Sequence, residues 1–356
     1  MPGEQDAAYS RGVTTTSAPG PLTGAVPIAL VRRGGVVESA HHGHVVLVGP
    51  DGAVLGGLGD PDALVLPRSS LKPVQALAML RSGLRLGGDL LALGTASHSG
   101  EDFHREGARR VLASVGLDEG SLRNTPDLPS DPELRARWQA EGRAPERLAQ
   151  NCSGKHAAML ATCVEAGWSL EDYLDPRHPL QRAVLATVRE TTGATTAGVE
   201  EHLTTDGCGT PLPAVPLSGL ARAFSRLATA GEGTPERRLA GAVRDFPLWV
   251  GGTRRDVTAL LRGVPGLVAK DGAEAVYAAA LPDGRAVALK VLDGGDRARA
   301  VVMAAALRAL GVRAPVVEEQ STAPVLGHGE PVGEVRGVDV PLRGVGVDAP
   351  SRGSGA

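Results

Sequence analysis

The chain has 356 residues, more than one average domain yet within the range of a single large enzyme. Hydrophobic residues at 42% mark it as globular, and a net charge of −3 gives no electrostatic footprint for nucleic acid or a membrane surface. No apolar run is long enough to span a bilayer, and with aromatics at 3% the core must be built from Leu, Val and Ala.

Residues 1–24 carry Ser, Thr, Gly and Pro without a charged-then-apolar pattern, and read as a flexible leader rather than a signal peptide. Three widely spaced cysteines (Cys152, Cys163 and Cys208) point, without an export signal, to a reducing, cytoplasmic setting. Residues 26–31 and 44–48 are β-rich, and Pro50-Asp51-Gly52 is a hairpin turn into 53–55. His41, His42 and His44 form a histidine-rich loop here, without the fixed partner spacing that a metal site requires.

Next comes Pro67-Arg68-Ser69-Ser70-Leu71-Lys72-Pro73. Three residues separate Ser69 from Lys72, so one turn brings a hydroxyl and an amine together. Pro73 lacks an N–H and fits the start of a helix, which leaves 69–72 as a tight lead-in turn; a 3₁₀ turn serves as well as an α-turn. Such a pair can act as nucleophile and base if the lysine is neutral near pH 7, against about 10.4 when free. The plain alternative is an N-cap serine followed by a solvated lysine.

Helical patterns follow at 74–80 and 102–115. Between them, Thr95-Ala96-Ser97-His98-Ser99-Gly100-Glu101 either caps the second helix through Ser99 or Glu101, or presents a serine and backbone amides to an anionic centre. Residues 117–150 read as solvated loop and short helix. Asn151-Cys152-Ser153-Gly154-Lys155-His156 then opens a helix over 157–166, with Cys152 and Lys155 on one face. Further helices are expected at 180–191, 217–228 and 239–243, interrupted by Asp206-Gly207-Cys208-Gly209-Thr210-Pro211, whose glycines permit close backbone approach. Strands return at 266–270, 276–281 and 286–292, the last two a hairpin across Pro282-Asp283-Gly284-Arg285. A buried helix over 297–310, one more strand after Val312 and a frayed tail at 344–356 complete the chain.

Strands, a helical middle, then strands again predict an α+β fold. The terminal strands make one antiparallel sheet with flanking helices (about 25–70 and 264–343), beside a mostly helical lobe (about 71–263) of a single catalytic domain. The cleft between the lobes is where Ser69, the 97–101 loop and Lys270 can meet.

Five blocks in order carry a resemblance over about residues 26–311: Arg68-Ser69-x-x-Lys72-Pro73, Ala96-Ser97-His98-Ser99-Gly100-Glu101, Asn151-Cys152-Ser153-Gly154-Lys155-His156, Asp206-Gly207-Cys208-Gly209 and Lys270-x-Gly272-Ala273-Glu274. The sequence resembles the asparaginase II family of the rhizobial type, whose fold is related to serine β-lactamases and glutaminases, and not the asparaginases with threonine nucleophiles. Asp271 and Ala275 stand where that family would place glycines. The resemblance implies two serine–lysine pairs: Ser69 with Lys72, and Lys270 with either Ser97 or Ser99. It implies a zinc ion held by Cys152, Lys155 and Cys208, with Cys163 packed inside its helix, and Arg68, His156 and Asp206 around the substrate. The expected enzyme is a homodimeric L-asparaginase with no nucleic-acid or membrane partner. Glutaminase is the close alternative, because a pocket separates substrates differing by one methylene only modestly. A β-lactam- or peptidoglycan-type serine acyl transferase shares S-x-x-K, but the chain shows no export signal and no K-T-G block. A non-catalytic zinc scaffold would explain the cysteines but not Ser69, Lys72 and Lys270 together.

Overall fold

The structure, a computed structural model, describes residues 20–343. Most of the expected leader and the whole expected tail lie outside the described residues. Residues 20–24 form a turn, and Pro21 O accepts a hydrogen bond from His44 Nε2 at 2.6 Å.

An eight-stranded antiparallel sheet is assembled from both ends of the chain. Strands β1 (Val26–Arg33), β2 (Val36–Val48) and β3 (Val54–Leu58) come from the N-terminal side. Strands β4 (Val268–Gly272), β5 (Val276–Ala280), β6 (Ala286–Val291), β7 (Thr322–Gly327) and β8 (Glu330–Gly337) come from the C-terminal side. The spatial order is β7-β8-β1-β2-β6-β5-β4, with β3 also on β2. At 13 residues β2 is long enough to serve three partners: its first part pairs with β1, and the part from Gly43 to Val48 pairs with β6. The register that joins the two chain ends sets Val45 opposite Leu289 and Val48 opposite Ala286.

The helical middle stacks beside this sheet. Helix α1 (Lys72–Arg81) is buried from Lys72 through Leu80, as a helix hydrophobic on every face must be. Helix α2 (Ser153–Ala166) is buried along its first eleven residues, while α3 (Leu217–Thr229) lays an apolar face across the sheet. Helices α4 (Asp256–Gly263) and α5 (Asp296–Ala309) follow. Helix α5 lies so close under β8 that a Cβ on Gly337 would come within 2.6 Å of Val301 O. The α+β arrangement, one antiparallel sheet from both chain ends with a mostly helical middle, is therefore as its sequence order implies.

Several local expectations are corrected. The histidines at 41–44 lie within β2, not a loop. His41 is buried with Nδ1 2.5 Å from Asp293 Oδ2, while Nε2 accepts from Arg297 Nε at 2.9 Å. His44 Nδ1 accepts the Asp60 N–H at 2.8 Å. These two rings are spent on structural hydrogen bonds. The single strand expected after Val312 is a hairpin, β7 to β8, turned by His328 and Gly329 at φ 51° and 87°. Short helices at Gly88–Gly94 and Asp256–Gly263 carry too few turns for a clear periodicity. Among the described residues no helix is long and apolar enough to cross a membrane.

Candidate active site

Ser69 sits on a 3₁₀ turn, Arg68–Leu71, that runs directly into α1 with Pro73 in the first helical turn. Proline fixes the entry, and the tighter turn stacks residues i and i+3. Arg68 has φ 50°, a left-handed conformation that costs a residue bearing Cβ about 1 kcal/mol. It is held there by Asp206, whose Oδ1 accepts from Arg68 Nε at 2.8 Å, and by Glu274 at 4.0 Å. Backbone outliers of this kind cluster at functional sites. Ser69 is 8% exposed. The neighbouring Ser70 satisfies the local carbonyl, donating to Pro67 O at 2.6 Å.

Lys72 is buried, and its ammonium donates to Ala96 O at 2.6 Å and to Ser97 Oγ at 2.9 Å. The serine-rich loop thus delivers Ser97, and not Ser99, to a lysine, and that lysine is Lys72. Ser99 instead donates to Gly251 O at 2.8 Å. Glu101 accepts from Thr253 N at 2.9 Å and from its hydroxyl at 3.1 Å. Neither side chain caps the helix Asp102–Ala113, the role open to them in the sequence; they tie the loop to residues 251–253 instead. His98 props the same loop: Nε2 donates to Ser153 Oγ at 2.9 Å, and Nδ1 accepts the Gly100 N–H at 3.1 Å. Burial, with His104 and Lys72 adding to it, pushes His98 well below the ordinary histidine range.

Lys270 lies on β4, the edge strand, and is fully buried. Its ammonium is 2.7 Å from Asp271 O and 2.5 Å from Asp271 Oδ1. Burial lowers it to about 8, with Lys72 and Arg255 pushing further down and Asp271 pulling back up. Two residues along, Gly272 abuts the serine turn: a Cβ there would lie 2.9 Å from Pro67 O, 3.0 Å from Ser70 N and 3.4 Å from Ser69 N. Glu274 and Ala275 follow in left-handed conformations, φ 57° and 51°. Glycine suits position 275 because that backbone disfavours a Cβ.

The third cluster gathers at the start of α2. Lys155 Nζ is 3.2 Å from Cys208 Sγ and 2.9 Å from Thr210 Oγ1. Cys152 is the N-cap residue, with its thiol 3.0 Å from Asn151 Oδ1. The Asp206–Thr210 turn closes through Asp206 N to Thr210 O at 2.9 Å, with Gly209 at φ 91°. The Cys152 thiol lowers Cys208, and Lys155 reinforces this, while Cys208 and then burial raise Cys152. Burial alone would lower Lys155, but Cys208, Cys152 and Asp206 outweigh it and raise it. His156 Nδ1 accepts from the Tyr173 hydroxyl at 2.8 Å, and its buried Nε2 has no partner among the described residues. Two buried sulfurs, one of thiolate character, fit a soft divalent ion such as zinc, and Lys155 would join them only on giving up its proton. Cys163 stands apart, fully buried, and burial pushes its thiol up to about 12.

Arg68 and Asp206, read separately in the sequence, form one ion pair, 25% and 12% exposed, above the Ser69 turn. The sequence reading left out Arg255 and Arg299, which meet Asp271 behind Lys270. A charged residue between a strand lysine and Gly272 was the available signal, but its partners lie in distant helices.

The model of the family described as L-asparaginase II matches residues 29–337. A search of curated proteins returned no match. Among solved structures, the chain is similar to Mglu in its native form at high salt, with 16% identity and a TM-score of 0.36 over 70% of this chain and 55% of that one. It spans little more than half of that protein. A β-lactamase from Mycobacterium bovis aligns at 14% identity and TM-score 0.39, covering 71% of this chain and 88% of that one. EstCE1, a hydrolase with promiscuous acyltransferase activity, aligns at 15% and 0.34, covering 76% and 90%. With most of its length matched by the one family, the chain belongs to the L-asparaginase II family.

Proposed function

We propose that this amidohydrolase converts L-asparagine to L-aspartate and ammonia through a Ser69 acyl-enzyme. The observation that supports this most is the buried Lys72 ammonium, one turn from Ser69 and 2.9 Å from Ser97 Oγ. In the amine form, Nζ has two hydrogens, matched by Ala96 O and Ser97 Oγ, and its lone pair would be left to take a proton from the Ser69 hydroxyl. Ser69 Oγ would attack the side-chain amide carbon as Lys72 takes its proton. The resulting oxyanion would draw on backbone N–H groups where the Ser69 turn faces Gly272. Collapse would expel ammonia, the proton passing from Lys72 through Ser97 to the leaving nitrogen. A water molecule, deprotonated by the same amine, would then cleave the aspartyl ester and restore Ser69.

Lys270, with its lowered affinity for protons, would supply the second acid–base group of the site. Asp206 would take the substrate's α-ammonium and Arg68 its α-carboxylate, the pair opening to admit both ends of the zwitterion. His156 would shape the same pocket through its bond to Tyr173. Cys152, Lys155 and Cys208 would hold a zinc ion, which when bound supplies a fixed positive charge that orders the 206–210 turn. A cytoplasmic homodimer fits the chain's character. Supporting the dimer, Val36, Val37, Leu326 and Val332 are exposed at two hairpin ends joined by Gly34 N to Val332 O at 3.0 Å. Ammonia release from the purified protein with L-asparagine beside L-glutamine tests the substrate. Faster release from L-asparagine is expected; release from L-glutamine alone would reassign the enzyme as a glutaminase.

A further inference from the structure

Consecutive residues on a strand face opposite sides of the sheet, so an ion pair between neighbours is unusual. Lys270 and Asp271 nevertheless pair at 2.5 Å, the ammonium reaching both Asp271 O and Oδ1. Both side chains are buried, at 0% and 1% exposure. A second oxygen of Asp271 meets Arg255 at the start of α4, and Arg299 of α5 stands 3.8 Å away. Arg299 already has Asp256 at 3.0 Å and Asp296 at 2.7 Å, and Arg255 is 26% exposed to water. Both arginines can thus meet their charge elsewhere. Lys270 has no other anionic partner in the described structure.

We propose that Asp271 is a positioning residue for Lys270: its carboxylate fixes the ammonium at the edge of β4 beside the Ser69 turn and sets how readily that group gives up its proton, with Arg255 opposing it. This rests on the reading of Lys270 as an acid–base group of the site. The groups that face the pair are Lys72 from α1, Arg255 and Asp256 from α4, Tyr277 from β5 and Arg299 from α5. Burial and the two cations Lys72 and Arg255 lower Lys270, and Asp271 raises it through its charge and its hydrogen bond.

The sign of the test does not depend on whether Lys270 acts as acid or base, because either limb of the pH profile follows the same proton. Asp271→Asn should move that limb of kcat/KM to lower pH by one unit or more, the usual effect of an opposite charge at hydrogen-bond distance. Arg255→Gln should move it to higher pH. A purely structural cluster would lower activity or stability in both variants without shifting the limb in opposite directions. If Asp271→Asn fails to fold, Arg255→Gln decides alone, and a Lys270 titration that stays unmoved there overturns the inference. The Lys270 ammonium, followed by NMR in 15N-lysine-labelled protein, separates the two ideas. An NMR titration that the substitutions leave in place overturns the Asp271–Lys270 coupling. An NMR titration that shifts while the activity limb stays put upholds the coupling and removes Lys270 from the reaction.

Discussion

Lys72 and Ser97 lie 25 residues apart in sequence and 2.9 Å apart in space, with the lysine fully committed between Ser97 Oγ and Ala96 O. The contact bolts the first turn of α1 to the serine-rich loop. It also ties the residue three positions after Ser69 to a hydroxyl from a distant loop. Ser97 touches Lys72 and Ser99 does not, so substitutions at Ser69, Ser97 and Ser99 are separable.

Ser69→Ala should lower kcat by several orders of magnitude with little change in stability, since Ser69 supplies the proposed nucleophile at a turn. Ser97→Ala should cost on the order of 10²-fold in kcat, the scale of a lost proton-relay group. Ser99→Ala loses only a bond to Gly251 O; it should keep activity within a few-fold and lose about 1 kcal/mol in urea unfolding. An activity loss at Ser99 as deep as at Ser97 would contradict this assignment.

Gly272→Ala tests the wall behind the nucleophile. The added methyl would press on Pro67 O at 2.9 Å and Ser70 N at 3.0 Å, both backbone atoms that cannot swing aside. The Ser69 turn must then shift, and a displacement of about 1 Å at a reacting group can cost on the order of 10²-fold in rate. The expected outcome in steady-state kinetics is a large fall in kcat with a far smaller fall in Tm. Wild-type kcat would show that the turn has room to move.

Metal content tests the cysteine cluster independently. The purified protein should contain close to one zinc per chain, and Cys208→Ser should lose it. That variant should raise KM more than it lowers kcat, because the 206–210 turn also carries Asp206, which pairs with Arg68. Ser69→Ala should retain its zinc. Zinc-free protein with full activity would reject the metal site and leave the serine–lysine chemistry untouched.

Acid should destabilise the fold through its buried neutral histidines. Burial takes His104 from the usual 6.5 to about 4, against a weaker opposite pull from Leu248 O, and burial lowers His98 in the same direction. A histidine lowered on folding leaves the unfolded chain holding more protons between those values. Its contribution is complete above about pH 6.5 and is lost as pH falls towards 4, on the order of 3 kcal/mol for His104. Urea unfolding at pH 7.5 and 4.5 measures the drop. Equal midpoints at the two pH values would show that the imidazoles charge without cost.

Local chemistry was legible in the chain itself. Proline after Lys72 dictated a helix start there, and the Ser69-x-x-Lys72 spacing put both residues on one turn, because a turn's geometry depends on a few neighbouring residues. Strands at both ends around a helical middle implied one antiparallel sheet closed by the two termini, since each apolar face needs a cover. Contacts between distant segments were decided only by packing. The register between β2 and β6 brings β4 and Gly272 to the serine turn, and the loop after Gly94 turns Ser97 rather than Ser99 towards Lys72. In sequence Asp271 was only an acid standing where the family would place a glycine. It is instead a buried carboxylate among Lys270, Arg255 and Arg299, because three elements separated along the chain converge behind the edge strand. Residue spacing fixes what shares a turn, and only the folded chain fixes which charges share a space without water.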